Sequence, residues 1–130
     1  MKFYIPPDVS SRQSVFVDRA LSAKEIGSGS VDVLATPMMI ALMEAAALEA
    51  VQPYLPEEWT TVGTKVEVDH TRATPLGDEI SAEAILVKID GPKLDFTVVA
   101  QDSRGVIGQG HHQRFIVNVE EFMNKLRGQD

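Results

Sequence analysis

The chain has 130 residues, 44% of them hydrophobic and 24% charged, which is typical of one globular domain, here spanning residues 1–130, with a single core. Its net charge is −7 and its 12 lysines and arginines are dispersed, so it lacks the clustered cations that bind nucleic acid. It contains no cysteine, which excludes disulfides, a thiolate nucleophile and a cysteine-based zinc site.

Targeting and metal-binding signals are also missing from the sequence. The first residues lack the apolar core of a signal peptide, and the longest apolar run, Pro37 to Met43, is too short to span a bilayer. No three or four possible ligands occur at the spacing of a metal site. We therefore expect a cytoplasmic protein that binds no metal, no nucleic acid and no membrane.

The first half of the chain predicts a strand, a loop and one long helix. Ser14 to Leu21 is typical of a strand, and the small residues from Ile26 to Ala35 indicate a loop. Thr36 supplies an N-cap hydroxyl, and the proline after it has the fixed φ of a first helical position. Pro53 disfavours helical geometry in the residue before it. These signals predict a helix from Pro37 to about Val51.

Beyond this helix the hydrophobic period changes from helical to two, which predicts β-strands. Short turns rich in glycine, proline and aspartate separate the strands, and tight turns favour antiparallel neighbours. A short helix follows, and the chain is predicted to fray from Gly128 to Asp130. The predicted elements are strands at Thr60–Thr71, Glu79–Ile89, Leu94–Gln101 and Val106–Val119 and a helix at Val119–Leu126.

These elements together predict an α+β fold. One strand precedes the apolar helix and a four-stranded antiparallel meander follows it, so the sheet is expected to wrap around one long central helix. The helix is apolar on nearly all sides, and one sheet of this size covers only part of it. A second copy would cover the remainder, so we expect a homodimer or a higher assembly.

Glu44 is the one acidic residue in the first three turns of the predicted helix. Burying an unpaired carboxylate costs on the order of several kcal/mol, so Glu44 should have a polar partner. In the segment KVEVDHTRAT, alternation places His70 on the same face as Val66 and Val68, and this valine face is predicted to point toward the helix. An inward imidazole and a helix carboxylate form an acid–base constellation, to which Thr36 adds a hydroxyl.

Other interpretations of these three residues remain open. Thr36 could be only a helix cap, His70 a satisfied core residue, and Glu44 an interface acid bonded to a backbone amide. Thr36 and Glu44 are eight residues apart, about 12 Å along a helix, so a Thr–His–Glu chain within one copy is stretched. The site could instead be completed across the dimer.

Three segments, VLATPMMIALMEAA, VGTKVEVDHTRATP and IGQGHHQRFIVN, occur in an order and at a spacing that resemble the hot-dog-fold thioesterases of the fluoroacetyl-CoA thioesterase type. The resemblance covers roughly Val33 to Lys125. It implies a hot-dog fold and a dimeric enzyme that hydrolyses a small acyl-CoA thioester at two interface sites, without a cofactor. By position, Thr36, Glu44 and His70 match the family's catalytic residues.

The resemblance also implies two substrate-binding residues. Gly63 matches a glycine whose backbone amide helps to polarise the thioester carbonyl, and Arg114 matches an arginine of the family's ligand region. Alternation places Arg114 opposite Phe115, so we expect it to leave the core and meet a CoA phosphate, with an ion-paired surface arginine as the alternative. The aromatic gate of the fluoroacetyl-selective member corresponds to about Ser30, so the resemblance does not imply fluoroacetyl selectivity.

The mechanism and two rival functions stay open at this point. Glu44 could activate water or attack the carbonyl directly, while Thr36 could orient the acyl group or be the nucleophile, and His70 would assist proton transfer. A non-catalytic acyl-CoA or small-ligand binding protein would use the same pocket without activating water. A hydratase or dehydratase of the same fold pairs an aspartate and a histidine in one short motif, whereas Glu44 lies 26 residues before His70.

Overall fold

The computed structural model describes residues 3–128, and it confirms a sheet built around one long helix. Most of the predicted fraying segment lies outside the described residues. The strands are β1 (Ser10–Phe16), β2 (Trp59–His70), β3 (Glu79–Asp90), β4 (Lys93–Asp102) and β5 (Gly105–Asn118), and the helices are α1 (Ala23–Ile26), α2 (Thr36–Val51) and α3 (Val119–Leu126).

The first strand begins earlier than predicted. It covers Ser10–Phe16, and Arg19–Leu21 forms a single turn of 3₁₀ helix instead of its end. The turn begins because the Asp18 carboxylate accepts a hydrogen bond of 3.0 Å from the amide of Ala20. The predicted boundaries of α2 and α3, by contrast, agree with the structure to within one residue.

The strand order is β1-β3-β4-β5-β2, with all pairs antiparallel. Only β3, β4 and β5 form a meander, so the prediction of a four-stranded meander is wrong at β2. The PLGD turn from Pro75 to Asp78 is not a hairpin turn, because β2 pairs with β5 and the chain then crosses to β3. The sheet therefore has β1 at one edge and β2 at the other.

The core lies between α2 and the inner face of the sheet. In β4 every second side chain from Leu94 to Ala100 is buried, as expected of a strand with one face on the core. Each fully buried large aliphatic side chain contributes about 1.5–3 kcal/mol. The buried residues of α2 are Met39, Met43, Ala46, Ala47, Ala50 and Val51. Within residues 3–128, no helix has the length and hydropathy needed to cross a bilayer.

Thr36 is not the N-cap of α2. Ala35 occupies the cap position without a side-chain hydrogen bond, and Thr36 is the first helical residue. The following proline stands at the start of the helix as predicted. The Thr36 hydroxyl therefore does not satisfy a helix amide, and it is free to contact a side chain from the sheet.

Candidate active site

Thr36 and His70 form a hydrogen-bonded pair. His70 is the last residue of β2, and its Nδ1 lies 2.7 Å from the Thr36 hydroxyl oxygen at the start of α2. The predicted face of β2 is confirmed for Val68, which packs against the core, whereas Val66 on the same face is 38% exposed. The sequence identified Thr36 and His70 separately, and the structure brings them together.

The surroundings of His70 favour its neutral form. Burial lowers the pKa of the imidazole, and the backbone of Arg72 opposes this shift in part. The other ring nitrogen, Nε2, is buried and has no hydrogen-bond partner among residues 3–128. A neutral imidazole has one donor and one acceptor nitrogen, so His70 can take a proton from the Thr36 hydroxyl at neutral pH.

A cleft of about 280 Å³ opens beside this pair. Its wall is formed by the segment between α1 and α2, including Ser28 and Val33, and by Arg72 after β2. A larger concavity of about 710 Å³ lies on the opposite face of the sheet, beside Glu67 and His111. We assign the candidate site to the smaller cleft, because it holds a hydroxyl–imidazole pair with a perturbed pKa.

Glu44 has a different partner from the one expected. Its Oε2 lies 3.7 Å from Nη1 of Arg114, which comes from β5, and 41% of its side chain is exposed. Among the described residues no hydrogen bond or ion pair joins Glu44 to His70, and Glu44 does not line the cleft beside Thr36. One chain therefore holds two clusters, one at Thr36 and His70 and one at Glu44 and Arg114.

Gly63 makes the second cluster possible. It lies within β2, where the pairing with β5 is interrupted by a bulge between Gly63 and Lys65. A Cβ atom on Gly63 would lie 2.7 Å from Oε2 of Glu44 and 3.3 Å from Cε1 of His112. Only glycine leaves room for the carboxylate to approach the strand backbone at this point.

Arg114 is buried, with 6% of its surface exposed, so the prediction that it leaves the core is wrong. Its Nε donates to the hydroxyl of Thr61 at 2.8 Å and its Nη2 to the carbonyl of Thr61 at 2.9 Å. Alternation correctly grouped Arg114 with His112, but the opposite face, with Phe115, was mistaken for the buried one. The guanidinium is therefore held against Thr61, near the start of β2, and lies beside Glu44.

His112 completes this cluster, although no pattern in the sequence indicated a role for it. Its Nδ1 lies 2.8 Å from the carbonyl of Lys65, so Nδ1 carries the proton and donates. Nε2 then accepts from Nη1 of Arg114 at 3.2 Å. Burial lowers the pKa of His112, with the Lys65 carbonyl opposing, and so favours this neutral tautomer. The signal for this role is the β2–β5 register, which the sequence does not reveal.

Comparison with known proteins identifies relatives over most of the chain. A family model described as FlK, fluoroacetyl-CoA-specific thioesterase, matches residues 17–120. The fluoroacetyl-CoA thioesterase of Streptantibioticus cattleyicolor is 38% identical over 96 residues, which cover 74% of this chain and 69% of that protein.

Solved structures agree with these sequence matches. A structure of the fluoroacetyl-CoA thioesterase FlK has a TM-score of 0.89 at 28% identity, covering 98% of each chain. A thioesterase superfamily member from Thermus thermophilus has a TM-score of 0.88 at 25% identity, covering 98% of this chain and 93% of the other. A third structure is of an FlK variant with a phenylalanine changed to alanine, bound to fluoroacetate and CoA; it has a TM-score of 0.85 at 29% identity, covering 90% and 98%.

Proposed function

Because the chain belongs to the fluoroacetyl-CoA-specific thioesterase family and is an acyl-CoA thioesterase, we propose that it hydrolyses a small acyl-CoA ester in two steps at Thr36 and His70. The observation that carries this proposal is the 2.7 Å contact between the Thr36 hydroxyl and Nδ1 of His70. A hydroxyl bonded to a neutral imidazole is the usual arrangement of an activated nucleophile.

In the first step the Thr36 oxygen attacks the thioester carbonyl carbon, and its proton passes to Nδ1 of His70. The tetrahedral intermediate then collapses, the carbon–sulfur bond breaks, and the proton moves from His70 to the CoA thiolate. The products are free CoA and an ester of the acyl group with Thr36. The lowered pKa of His70 supports this step, because a neutral imidazole is needed to accept the proton.

In the second step water attacks the carbonyl carbon of the Thr36 ester while Glu44 accepts one of its protons. The bond between this carbon and the Thr36 oxygen then breaks, Glu44 returns the proton to the Thr36 oxygen, and the free acid leaves. The partly exposed Glu44 carboxylate is accessible for this role. It lies eight residues from Thr36 on α2, about 12 Å along the axis, which is too far for one water molecule to connect them. We therefore propose that the Glu44 carboxylate of a second copy serves the Thr36–His70 pair.

The free edge of β2 supports this arrangement. Gly63 and Glu44 lie near one end of β2 and His70 at the other, and β2 forms one edge of the sheet. A two-fold axis that crosses this edge midway between Gly63 and His70 would bring the Glu44 end of each copy beside the His70 end of its partner. The Gly63 amide would then be near the thioester carbonyl, where a backbone donor stabilises the developing oxyanion.

Replacing the paired side chains tests the proposal. In Thr36→Val the hydroxyl is lost at nearly constant shape, and in His70→Ala the base is lost. We expect each variant to release thiol from short acyl-CoA esters at least about a hundredfold more slowly than the wild type, with an unchanged melting temperature. Thr36→Ser keeps the hydroxyl and is the matched control. Full turnover in Thr36→Val would exclude Thr36 as the nucleophile.

The same measurement addresses the acyl group and the rival binding function. By the resemblance, the aromatic gate of the fluoroacetyl-selective member corresponds to about Ser30, which is exposed in the segment between α1 and α2. With no aromatic side chain there, we expect acetyl-CoA and fluoroacetyl-CoA to differ by no more than about tenfold in kcat/KM, since small isosteric changes are weakly discriminated. Thermal stabilisation by acyl-CoA without thiol release would favour the non-catalytic binding protein.

A further inference from the structure

A buried carboxylate lies outside the two clusters already described. Asp102 ends β4, its side chain is fully buried, and its Oδ1 accepts a hydrogen bond of 3.0 Å from Nη2 of Arg72 and one of 2.8 Å from the amide of Arg104. Its Oδ2 accepts one of 2.9 Å from the hydroxyl of Thr74. A carboxylate removed from water is tolerated when its oxygens are satisfied in this way.

The side-chain partners of Asp102 follow His70 closely in the chain, and one of them also bonds to the segment before Thr36. Arg72 is two residues after His70, and its side chain also donates to the carbonyl of Val106 at the start of β5. Thr74 connects to the segment before Thr36, because its carbonyl accepts a 2.9 Å hydrogen bond from the amide of Leu34, two residues before Thr36. One carboxylate thus connects to the segment that ends in His70 and to the segment that leads into Thr36.

We infer that Asp102 is a positioning residue that sets the distance between the Thr36 hydroxyl and the His70 imidazole by holding Arg72 and Thr74. The segment from Thr71 to Thr74 crosses from β2 toward β3, and its first half is held to β5 because the amides of Thr71 and Arg72 donate to the carbonyl of Ile107. Without the Asp102 carboxylate, the side chains of Arg72 and Thr74 lose their common acceptor, and the two halves of the pair are no longer connected through one carboxylate. The consequence for turnover rests on the function proposed above.

The hydrogen bonds at position 102 require a carboxylate. Asp102 accepts from three donors, one of them cationic, and an amide of the same shape would place its NH₂ group against one of them. Asp102→Asn should therefore leave the fold intact and loosen the connection. Thr74→Val removes only the hydroxyl that donates to Oδ2, at nearly constant volume, and Thr74→Ser restores it.

Asp78 offers a matched control. Its carboxylate accepts 2.8 Å hydrogen bonds from the Ser103 hydroxyl and the Glu79 amide, so it also anchors the turn between β4 and β5. Within residues 3–128, this carboxylate has no hydrogen bond to the segments that carry Thr36 or His70. Asp78→Asn should therefore change stability without changing the pair.

Two measurements test the inference. The first is kcat and KM for thiol release, at a temperature well below the melting point of every variant. We expect kcat to fall at least about tenfold in Thr74→Val and Asp102→Asn with KM within about twofold, since small misplacements of reacting groups reduce rates by up to about a hundredfold. Thr74→Ser and Asp78→Asn should keep the wild-type kcat.

The second measurement is the NMR titration of the His70 ring, assigned among the three histidines by its loss in His70→Gln. Burial lowers the pKa of His70, so an imidazole released toward water should titrate nearer its ordinary value in Thr74→Val and Asp102→Asn, but not in the controls. This readout does not require hydrolysis, so it tests positioning even if Thr36 and His70 prove dispensable for turnover. An unchanged titration and kcat in both variants, or an equal loss in Asp78→Asn, would overturn the inference.

Discussion

Mixing two inactive variants tests whether Glu44 and His70 of different copies form one site. Glu44→Gln lacks the proposed base of the second step, and His70→Ala lacks the proposed base of the first. Each homodimer is expected to be at least about a hundredfold slower than the wild type. In a mixed dimer with sites completed across the interface, the copy with His70 intact meets the copy with Glu44 intact, so one of the two sites is whole.

The size of the recovery follows from this geometry. Random assortment of equal amounts gives roughly half mixed dimers, and each mixed dimer has one working site of two, so activity per chain should return to about one quarter of the wild type. If Glu44 instead served His70 of its own chain, every site would carry one defect and nothing would be recovered.

The assay needs subunit exchange and an internal control. Tagged variants can be mixed and exchanged in mild denaturant, and thiol release is measured on the mixture. The mixed dimer is then isolated through its two tags, and with one working site of two it should have about half of the wild-type activity per chain. A mixture of Thr36→Val and His70→Ala is the matched control, because their 2.7 Å contact lies within one chain and no recovery is expected. If verified mixed dimers of Glu44→Gln and His70→Ala stay inactive, or if the wild-type protein is a monomer at assay concentration, the two-copy site is refuted.

Three further predictions concern single residues. Gly63→Ala places a methyl group 2.7 Å from Oε2 of Glu44. We expect kcat to fall about tenfold or more, while the free energy of unfolding changes by less than about 1 kcal/mol. A wild-type kcat in this variant would contradict the proposal that turnover depends on where the Glu44 carboxylate lies. The lowered pKa of His70 places the acid limb of the kcat/KM profile below the ordinary histidine value of about 6.5. An acid limb at or above about pH 6.5 would be inconsistent with a buried neutral base. The same depressed pKa contributes folding stability that is present above about pH 6.5 and is lost as the pH falls through the folded-state value. Arg114→Lys cannot keep the hydrogen bonds to both Thr61 and His112, so denaturant unfolding should show a free energy of unfolding lower by about 1–3 kcal/mol. The salt dependence of KM should be unchanged. A higher, less salt-dependent KM at normal stability would instead support the phosphate-binding role.

Local patterns predicted the elements of this fold well. Proline after Thr36 fixed the start of α2, and the period-two hydrophobic pattern located β3, β4 and β5 within about two residues. The pairing of β2 was not predictable in this way. Turn residues after β2 indicated a change of direction, but turn chemistry at Pro75 to Asp78 does not specify which strand the chain joins next.

The alternation of side chains along a strand groups residues by face, but it does not indicate which face is buried. In β5 it placed Arg114 and His112 together, yet the half-buried Phe115 and Val117 suggested the wrong interior. The bulge after Gly63 adds a second ambiguity, because an extra residue reverses the alternation and puts Gly63 on the same side as His70. A strict period of two counted back from His70 would have placed Gly63 outward.

The partner of Glu44 shows why the site could be predicted only in part. A carboxylate on an apolar helix requires a polar partner, and Glu44 has one in Arg114, 3.7 Å away. The choice of that partner depends on the register that sets Gly63 opposite Arg114, a contact between residues far apart in sequence. The separation of Glu44 from Thr36 along α2, by contrast, follows from the sequence spacing and the helical rise of about 1.5 Å per residue, in any fold that keeps the helix. A mechanism that needs both side chains at one carbonyl therefore requires either a second copy or a bent helix, and α2 is continuous from Thr36 to Val51.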